Sequence, residues 1–290
     1  MIVAVASGKG GTGKTTLASN LAWSLKETKK VQVLDCDVDE PNLHLFLNPD
    51  LKVNETVSIK VPTVNESRCD YCGKCADICQ YGAITVLGKQ VLLFPELCHG
   101  CGGCTLLCPQ KAISEIDKPV GEIETGTAGG LAVVQGRMAV GEVMAPAVIK
   151  GVKEKIKPLG TVIIDAPPGT SCSAVAACTG VDYCILVTEP TPFGLHDLKL
   201  AVDMLEKLEV PRGVVINRWT GVDLVGLEAY CKEKEIPILL RIPFDRRIAQ
   251  AYAQGRLLVE VLPEWQSRLQ RLWESVEGGL CSERTCSNQR

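Results

Sequence analysis

The 290-residue sequence has little excess of either charge, with 31 Lys and Arg set against 34 Asp and Glu. A balance this close creates no global field, so attraction to nucleic acid or to an anionic membrane would need a local patch, and no nucleic-acid partner is expected. Long apolar runs are missing too: nothing approaches the roughly 20 residues that a membrane-crossing helix requires, which excludes stable membrane insertion through such a helix. The chain opens on a strand-like MIVAVA with no charged segment before it, and the expectation is a cytoplasmic protein. Disulfides do not persist in a reducing compartment, yet there are 15 cysteines, and those at 69, 72, 75 and 79 and at 98, 101, 104 and 108 form two regular runs. Metal binding explains such runs better than cross-linking. The length suits one large or two unequal domains with a substantial core.

Ile2 to Ala6 has the small and β-branched composition of a buried parallel strand. Gly8 to Thr15 then fits G-x-x-x-x-G-K-S/T, a loop whose glycines let backbone N–H groups turn inward around phosphates. Gly8, Gly10, Gly11, Thr12, Gly13, Lys14, Thr15 and Thr16 form the expected nucleotide cradle. Lys14 reaches the β and γ oxygens, and Thr15 offers its hydroxyl to Mg²⁺. Leu17, Leu21 and Leu25 follow at helical spacing, so the loop opens onto a helix N-terminus that favours an anion.

Val31 to Asp35 reads as a second buried strand, followed by acids at Asp35, Asp37 and Asp39. Carboxylates at strand ends beside phosphates hold Mg²⁺ waters or orient an attacking water. From about Val57 to Asp117 the hydrophobic periodicity gives way to the cysteine runs. Cys69, Cys72, Cys75 and Cys79 are spaced C-x-x-C-x-x-C-x-x-x-C, and Cys98, Cys101, Cys104 and Cys108 repeat the spacing, the second run followed by Pro109 and the first by Gln80. In bacterial two-cluster ferredoxins the fourth cysteine of such a run ligates the other cluster. That pattern groups Cys69, Cys72, Cys75 and Cys108 at one [4Fe-4S] cluster and Cys98, Cys101, Cys104 and Cys79 at the second, with two zinc sites as the alternative.

After Lys118 come a Gly-rich stretch from Thr125 to Gly130, a strand near Leu131 to Val134 and a helix from Ala145 to Lys157. Thr161 to Asp165 is another strand, ending in Ala166, Pro167, Pro168 and Gly169. Strands at Tyr183 to Thr188, Arg212 to Ile216 and Ile238 to Ile242 alternate with amphipathic stretches such as Leu195 to Leu208, the signature of a doubly wound, mostly parallel α/β sheet.

The second lysine of the loop, Lys9 in GKGGTGKTT, resembles the deviant Walker A motif of the MinD/ParA P-loop ATPases, and Thr161 to Asp165 with the following Ala166 to Thr170 resembles the Walker B and switch II segment of the same family. Because the cysteine runs interrupt this pattern, the chain looks like a member of that superfamily carrying an inserted bacterial-type ferredoxin domain. The resemblance implies that Lys9 crosses a nucleotide-sandwich dimer to the partner's phosphates, where the residue alone reads equally as a solvated loop lysine. It implies that Asp37 positions the hydrolytic water, with Asp35 nearer the metal, and that Asp165 holds Mg²⁺ through a water. Gly169 would meet the γ-phosphate through its backbone N–H. Asn217, beside Arg218, would read the adenine edge, favouring ATP, and Pro243 to Asp245 would close over the base.

The expected domains are an ATPase domain over 1–56 and 118–276, a two-cluster ferredoxin domain over 57–117 and a polar tail over 277–290 carrying Cys281 and Cys286. The expected cofactors are ATP, Mg²⁺ and two [4Fe-4S] clusters. The expected function is an ATP-dependent switch that couples hydrolysis to electron transfer or cluster delivery. Its partners would be a second copy or a paralogous ATPase, and a redox protein or small cluster-binding protein. Two alternatives remain, a positioning ATPase with structural or sensory clusters and a cluster scaffold or carrier. Trp265, Leu269, Leu272, Trp273 and Val276 share a helical face, read as core packing against the alternative of membrane contact. Cys172 lies seven residues past Asp165, an offset that resembles the nitrogenase iron protein, and the resemblance implies a cysteine that helps hold a cluster across a dimer interface; otherwise it fills space behind the loop, and Cys178 would lie on a nearby helical face.

Overall fold

The structure, a computed structural model, describes residues 1–158, 160–223 and 225–287, with side chains described through residue 280. Its strands in chain order are β1 (Ile2–Ala6), β2 (Val31–Asp35), β3 (Lys52–Val64), β4 (Ile84–Leu87), β5 (Gln90–Leu93), β6 (Ile113–Ala128), β7 (Leu131–Met138), β8 (Thr161–Asp165), β9 (Tyr183–Thr188), β10 (Arg212–Trp219) and β11 (Ile238–Pro243). Nine of them form one sheet in the order β11-β10-β9-β1-β8-β2-β7-β6-β3. From β11 to β7 every pairing is parallel, and β6 and β3 add an antiparallel edge.

The parallel strands are apolar runs because helices cover both faces. On one face the helix Lys14–Leu25 packs with the C-terminal helix Glu264–Ser287, burying Leu17, Leu21, Trp265, Leu269, Trp273 and Val276 together. The apolar stripe of the last helix is thus core. On the other face lie the helices Ala145–Glu154, Cys172–Cys178, Pro192–Lys207 and Leu227–Glu233, around Val148, Ala177, Leu198 and Tyr230. Among the described residues no helix is long and apolar enough to cross a membrane.

Several boundaries move. The helix expected to reach Lys157 ends at Glu154, and the Gly-rich stretch splits into the end of β6 and a turn at Gly129 and Gly130, both at positive φ. β10 continues to Trp219, so Asn217 and Arg218 lie within its last residues, not after it. The C-terminal helix runs to Ser287, so most of the expected polar tail is helical; the side chains of Cys281 and Cys286 lie outside the described residues. The limits set at 57 and 118 fall inside β3 and β6, whose pairing runs from Lys52 opposite Thr125 to Val64 opposite Ile113. Val57, Ile59 and Val61 alternate in β3, but the exposed runs 52–56 and 114–117 break the period at the ends of the two strands.

Between β3 and β6, residues 65–112 lie outside the main sheet. Here the short helices Lys74–Ile78 and Gly103–Leu107 and the β4–β5 hairpin surround a small buried cluster of Val61, Ala83 and Cys98.

Candidate nucleotide site and cysteine cavities

The register of the central strands assembles the first site. Val5 of β1 pairs with Asp165 of β8, and Asp165 pairs with Asp35 of β2, so two buried carboxylates lie side by side on the β8 flank of the loop after β1. Gly8 has no room for a side chain, since a Cβ there would lie 2.1 Å from the Asp197 carbonyl oxygen. At Gly13 φ is 99°, a left-handed conformation, and a Cβ would meet the Asn217 amide at 2.6 Å. The loop is therefore held against both the helix Pro192–Lys207 and the end of β10.

Lys14 is buried, and desolvation pushes its ammonium below the usual lysine range against the pull of Asp165 and Asp37. Asp165 is pushed up to about 7, chiefly by burial, with Thr15 and Lys14 pulling the other way. The Thr15 hydroxyl approaches closely enough to favour the anion, yet neither carboxylate oxygen of Asp165 has a hydrogen bond of normal geometry, and the buried Thr12 hydroxyl also lacks one. Buried polar atoms without partners are costly, and these three belong to the phosphate loop and to the strand end beside it, where phosphate and a divalent cation would supply partners. Asp37, half-buried, is pushed up to about 6 by burial, with Lys14 opposing.

Asp35 is differently placed. Its oxygens accept the backbone N–H groups of Asp37 (3.1 Å), Asn42 (3.1 Å) and Leu43 (3.0 Å), while burial and Asp165 push its pKa well up. Its carboxylate ties down the loop that carries Asp37, which leaves Asp165 as the acid with free oxygens. The Gly169 N–H donates to the Ser7 carbonyl at 2.9 Å, so it braces the loop and is not free for a phosphate in this conformation. Asn217 donates to the Thr12 carbonyl at 2.7 Å, and its own Oδ1 accepts from Arg218 N–H. The Pro243 to Asp245 segment adjoins these residues through a bond from Phe244 N–H to the Trp219 carbonyl.

Glu189, a residue that sequence reasoning passed over, is buried directly beside the loop. Its carboxylate takes Arg218 at 2.7 Å and Lys9 at 3.5 Å. Only its place after an apolar strand, at a carboxyl end facing the ligand side, could have marked it.

The second region holds two cavities lined by the cysteine runs. Cys69, Cys72, Cys75 and Cys108 line the first, and Cys79, Cys98, Cys101 and Cys104 the second. Each therefore takes three cysteines of one run and the fourth of the other. The backbone repeats as well. Tyr71 and Gly100 donate N–H to Cys69 and Cys98 at 3.4 Å, and Ala83 and Ala112 donate to Cys79 and Cys108 at 3.3 and 3.2 Å. Tyr71 and Gly100 both sit at positive φ, as do Gly73 and Gly102 and as do Gly82 and Lys111. Burial raises the thiols of Cys75 and Cys104. Among the described residues no three His, Cys, Asp or Glu side chains converge closely enough to hold a single metal ion. Four thiols set around a cavity suit a polynuclear group better than a lone zinc ion, which draws its ligands to about 2.3 Å.

Other cysteines separate cleanly. Cys172 is exposed at the start of its helix and fills no core space. Cys178 does not share that surface: it is buried, and Cys184 donates its thiol hydrogen to it, which holds Cys178 low and Cys184 high. Cys36 and Cys231 are buried and line neither cavity.

A phosphate-binding loop at the switch between strands of a doubly wound sheet, with an acid at the end of the adjacent strand, defines a nucleotide-binding P-loop ATPase. Residues 3–259 match the family described as the CobQ/CobB/MinD/ParA nucleotide binding domain, and the chain belongs to that family. It is 33% identical over 88% of its length to an uncharacterized protein of Methanocaldococcus jannaschii, MJ0579, covering 90% of that protein. An iron-sulfur cluster carrier protein of the same organism is 24% identical, with 95% of this chain and 85% of the carrier covered. In fold it is similar to the septum site-determining protein MinD of Pyrococcus horikoshii, solved with Mg-ADP, at a TM-score of 0.58 and 24% identity over 95% of each chain.

Proposed function

We propose that the protein is an ATP-dependent dimeric switch that couples ATP binding and hydrolysis to electron transfer or iron–sulfur cluster delivery through an inserted ferredoxin-like domain. The observation that carries this reading is the crossed lining of the two cavities, four cysteines each, on a MinD/ParA-type ATPase body. Cys69, Cys72, Cys75 and Cys108 would hold one [4Fe-4S] cluster and Cys98, Cys101, Cys104 and Cys79 the other. When bound, such clusters supply one-electron redox chemistry, tuned by N–H to sulfur bonds of the kind made by Tyr71, Ala83, Gly100 and Ala112.

The chain's own residues supply the switch. Lys14 and the loop N–H groups bind the phosphates, and Thr15 and Asp165 serve Mg²⁺, the anion of Asp165 being stabilised once a cation lies beside it. Asp37, on the loop anchored by Asp35, orients the attacking water. Asn217 spends one amide hydrogen on Thr12 and keeps the other for the adenine edge. Gly169 meets the γ-phosphate by releasing Ser7. Lys9 engages a partner, a second copy or a paralogue, by leaving Glu189, whose charge stays matched by Arg218. The name of the carrier relative favours cluster delivery over a positioning role.

Anaerobic purification followed by metal and sulfide analysis tests the reading. About eight iron and eight acid-labile sulfide per chain are expected, and zinc without sulfide would overturn it.

A further inference from the structure

One lysine links the nucleotide loop to a cysteine cavity. Lys118, in β6, directs its Nζ to Glu142 Oε2 at 2.8 Å and to the Pro95 carbonyl at 3.2 Å. The pair is shielded, with Lys118 and Glu142 side chains 21% and 15% exposed, so solvent screens it less than a surface ion pair. The Pro95 carbonyl also accepts the backbone N–H of Cys98 at 3.2 Å, so the ammonium and the first cysteine of the second run share one acceptor.

The other end of the tie leads to the nucleotide site. Glu142 lies in the turn after β7, pinned by Ala139 N–H to Val120 O and by Glu142 N–H to Ala139 O. Just before it, Met138 N–H donates at 2.9 Å to the carbonyl of Val38, the buried neighbour of Asp37. Asp37, Val38, Met138, Ala139, Glu142, Lys118, Pro95 and Cys98 are therefore linked in series, Asp37 to Val38 and Met138 to Ala139 as chain neighbours and the other steps by hydrogen bonds. The first run offers a comparison within the molecule. Cys69 N–H donates to the Glu66 carbonyl at 3.2 Å in the same way, and among the described residues no lysine reaches that carbonyl.

We propose that Lys118 is a positioning residue through which the conformation of the Asp37 loop is transmitted to the turn carrying Cys98, so that nucleotide acts on the second cysteine cavity and not on the first. A shift of the Asp37 loop moves Val38 and with it the end of β7. The turn then displaces Glu142, and Lys118 changes its hold on the Pro95 carbonyl that orients Cys98. This rests on the coupling reading above.

The test is amide hydrogen exchange on the full chain, purified anaerobically, with and without MgATP, comparing peptides over 95–104 and 66–75. Wild type is expected to show a nucleotide-dependent change in 95–104 alone. Lys118→Met is expected to lose that change while still hydrolysing ATP, and Lys118→Arg to retain it. The ATP-dependent shift in cluster potential should be lost in parallel. If Lys118→Met alters exchange equally with and without nucleotide, the residue is a structural tie only and the inference fails. A nucleotide response in the mutant equal to wild type overturns it too, leaving the coupling reading intact. If wild type shows no nucleotide response anywhere in 65–112, the coupling reading itself falls, and the inference with it. Should Lys118→Met fail to fold, Glu142→Gln removes the same ion pair at constant shape and carries the test.

Discussion

Asp165 and Asp37 titrate near 7 and 6 because the protein buries them without enough compensation, and this has a consequence for stability that can be signed. From about pH 4, where unfolded carboxyls ionise, up to these values the folded chain keeps protons that the unfolded chain has lost. Stability without nucleotide therefore falls as pH rises through that window, and the raised carboxyl of Asp35 acts in the same direction. Asp165→Asn removes the buried anion, so it should raise the melting temperature at pH 8 and have little effect at pH 5, where the carboxyl is already neutral. An equal effect at both pH values, read by calorimetry, would show that the carboxylate is compensated. The same residue should make MgATP binding stronger as pH rises through 7. Lys14→Ala should abolish nucleotide binding, because the phosphates lose their buried cation. Asp37→Ala should keep ATP bound and dimers assembled while slowing hydrolysis, and normal turnover would refute the water-positioning role. Lys9→Ala should weaken ATP-dependent dimerisation; light scattering that finds equal dimer in mutant and wild type would remove the trans contact.

The strands of the sheet centre and the helices around them announce themselves, because burial on both faces forces continuous apolar runs and one-sided burial forces the helical period. The C-terminal helix shows the same logic. Trp273 is 1% exposed against the helix Lys14–Leu25, so Trp273→Ala should cost about 3–5 kcal/mol, measurable by denaturant titration, where a membrane-facing side chain would cost almost nothing. The extent of β3 and β6 stayed hidden because the runs 52–56 and 114–117 are solvated, although β6 also pairs with β7. Strand length at such an edge is decided by backbone pairing, which leaves no hydrophobic trace in exposed runs such as 52–56.

For the whole molecule, the assignment of cysteines to cavities makes a test that single residues cannot. Cys72→Ser and Cys101→Ser line different cavities, so each should remove about half the iron, whereas Cys231→Ser, buried in its helix, should leave iron content unchanged. Loss of all iron from either of the first two would mean that the cavities do not fill independently.

The motif residues, their order and the alternation of strand and helix were legible from the chain alone, since each rests on local chemistry: glycines where backbone must approach a phosphate, and thiols at fixed short spacings. The tertiary structure decided what depends on distant residues meeting. It set Asp35 to hold a loop, gave Lys9 and Arg218 a common buried partner in Glu189, turned Cys178 inward and left Cys172 outside. It also brought Lys118 between Glu142 and Pro95. No local pattern encodes such meetings, because burial and pairing are properties of the surroundings that only the folded chain creates.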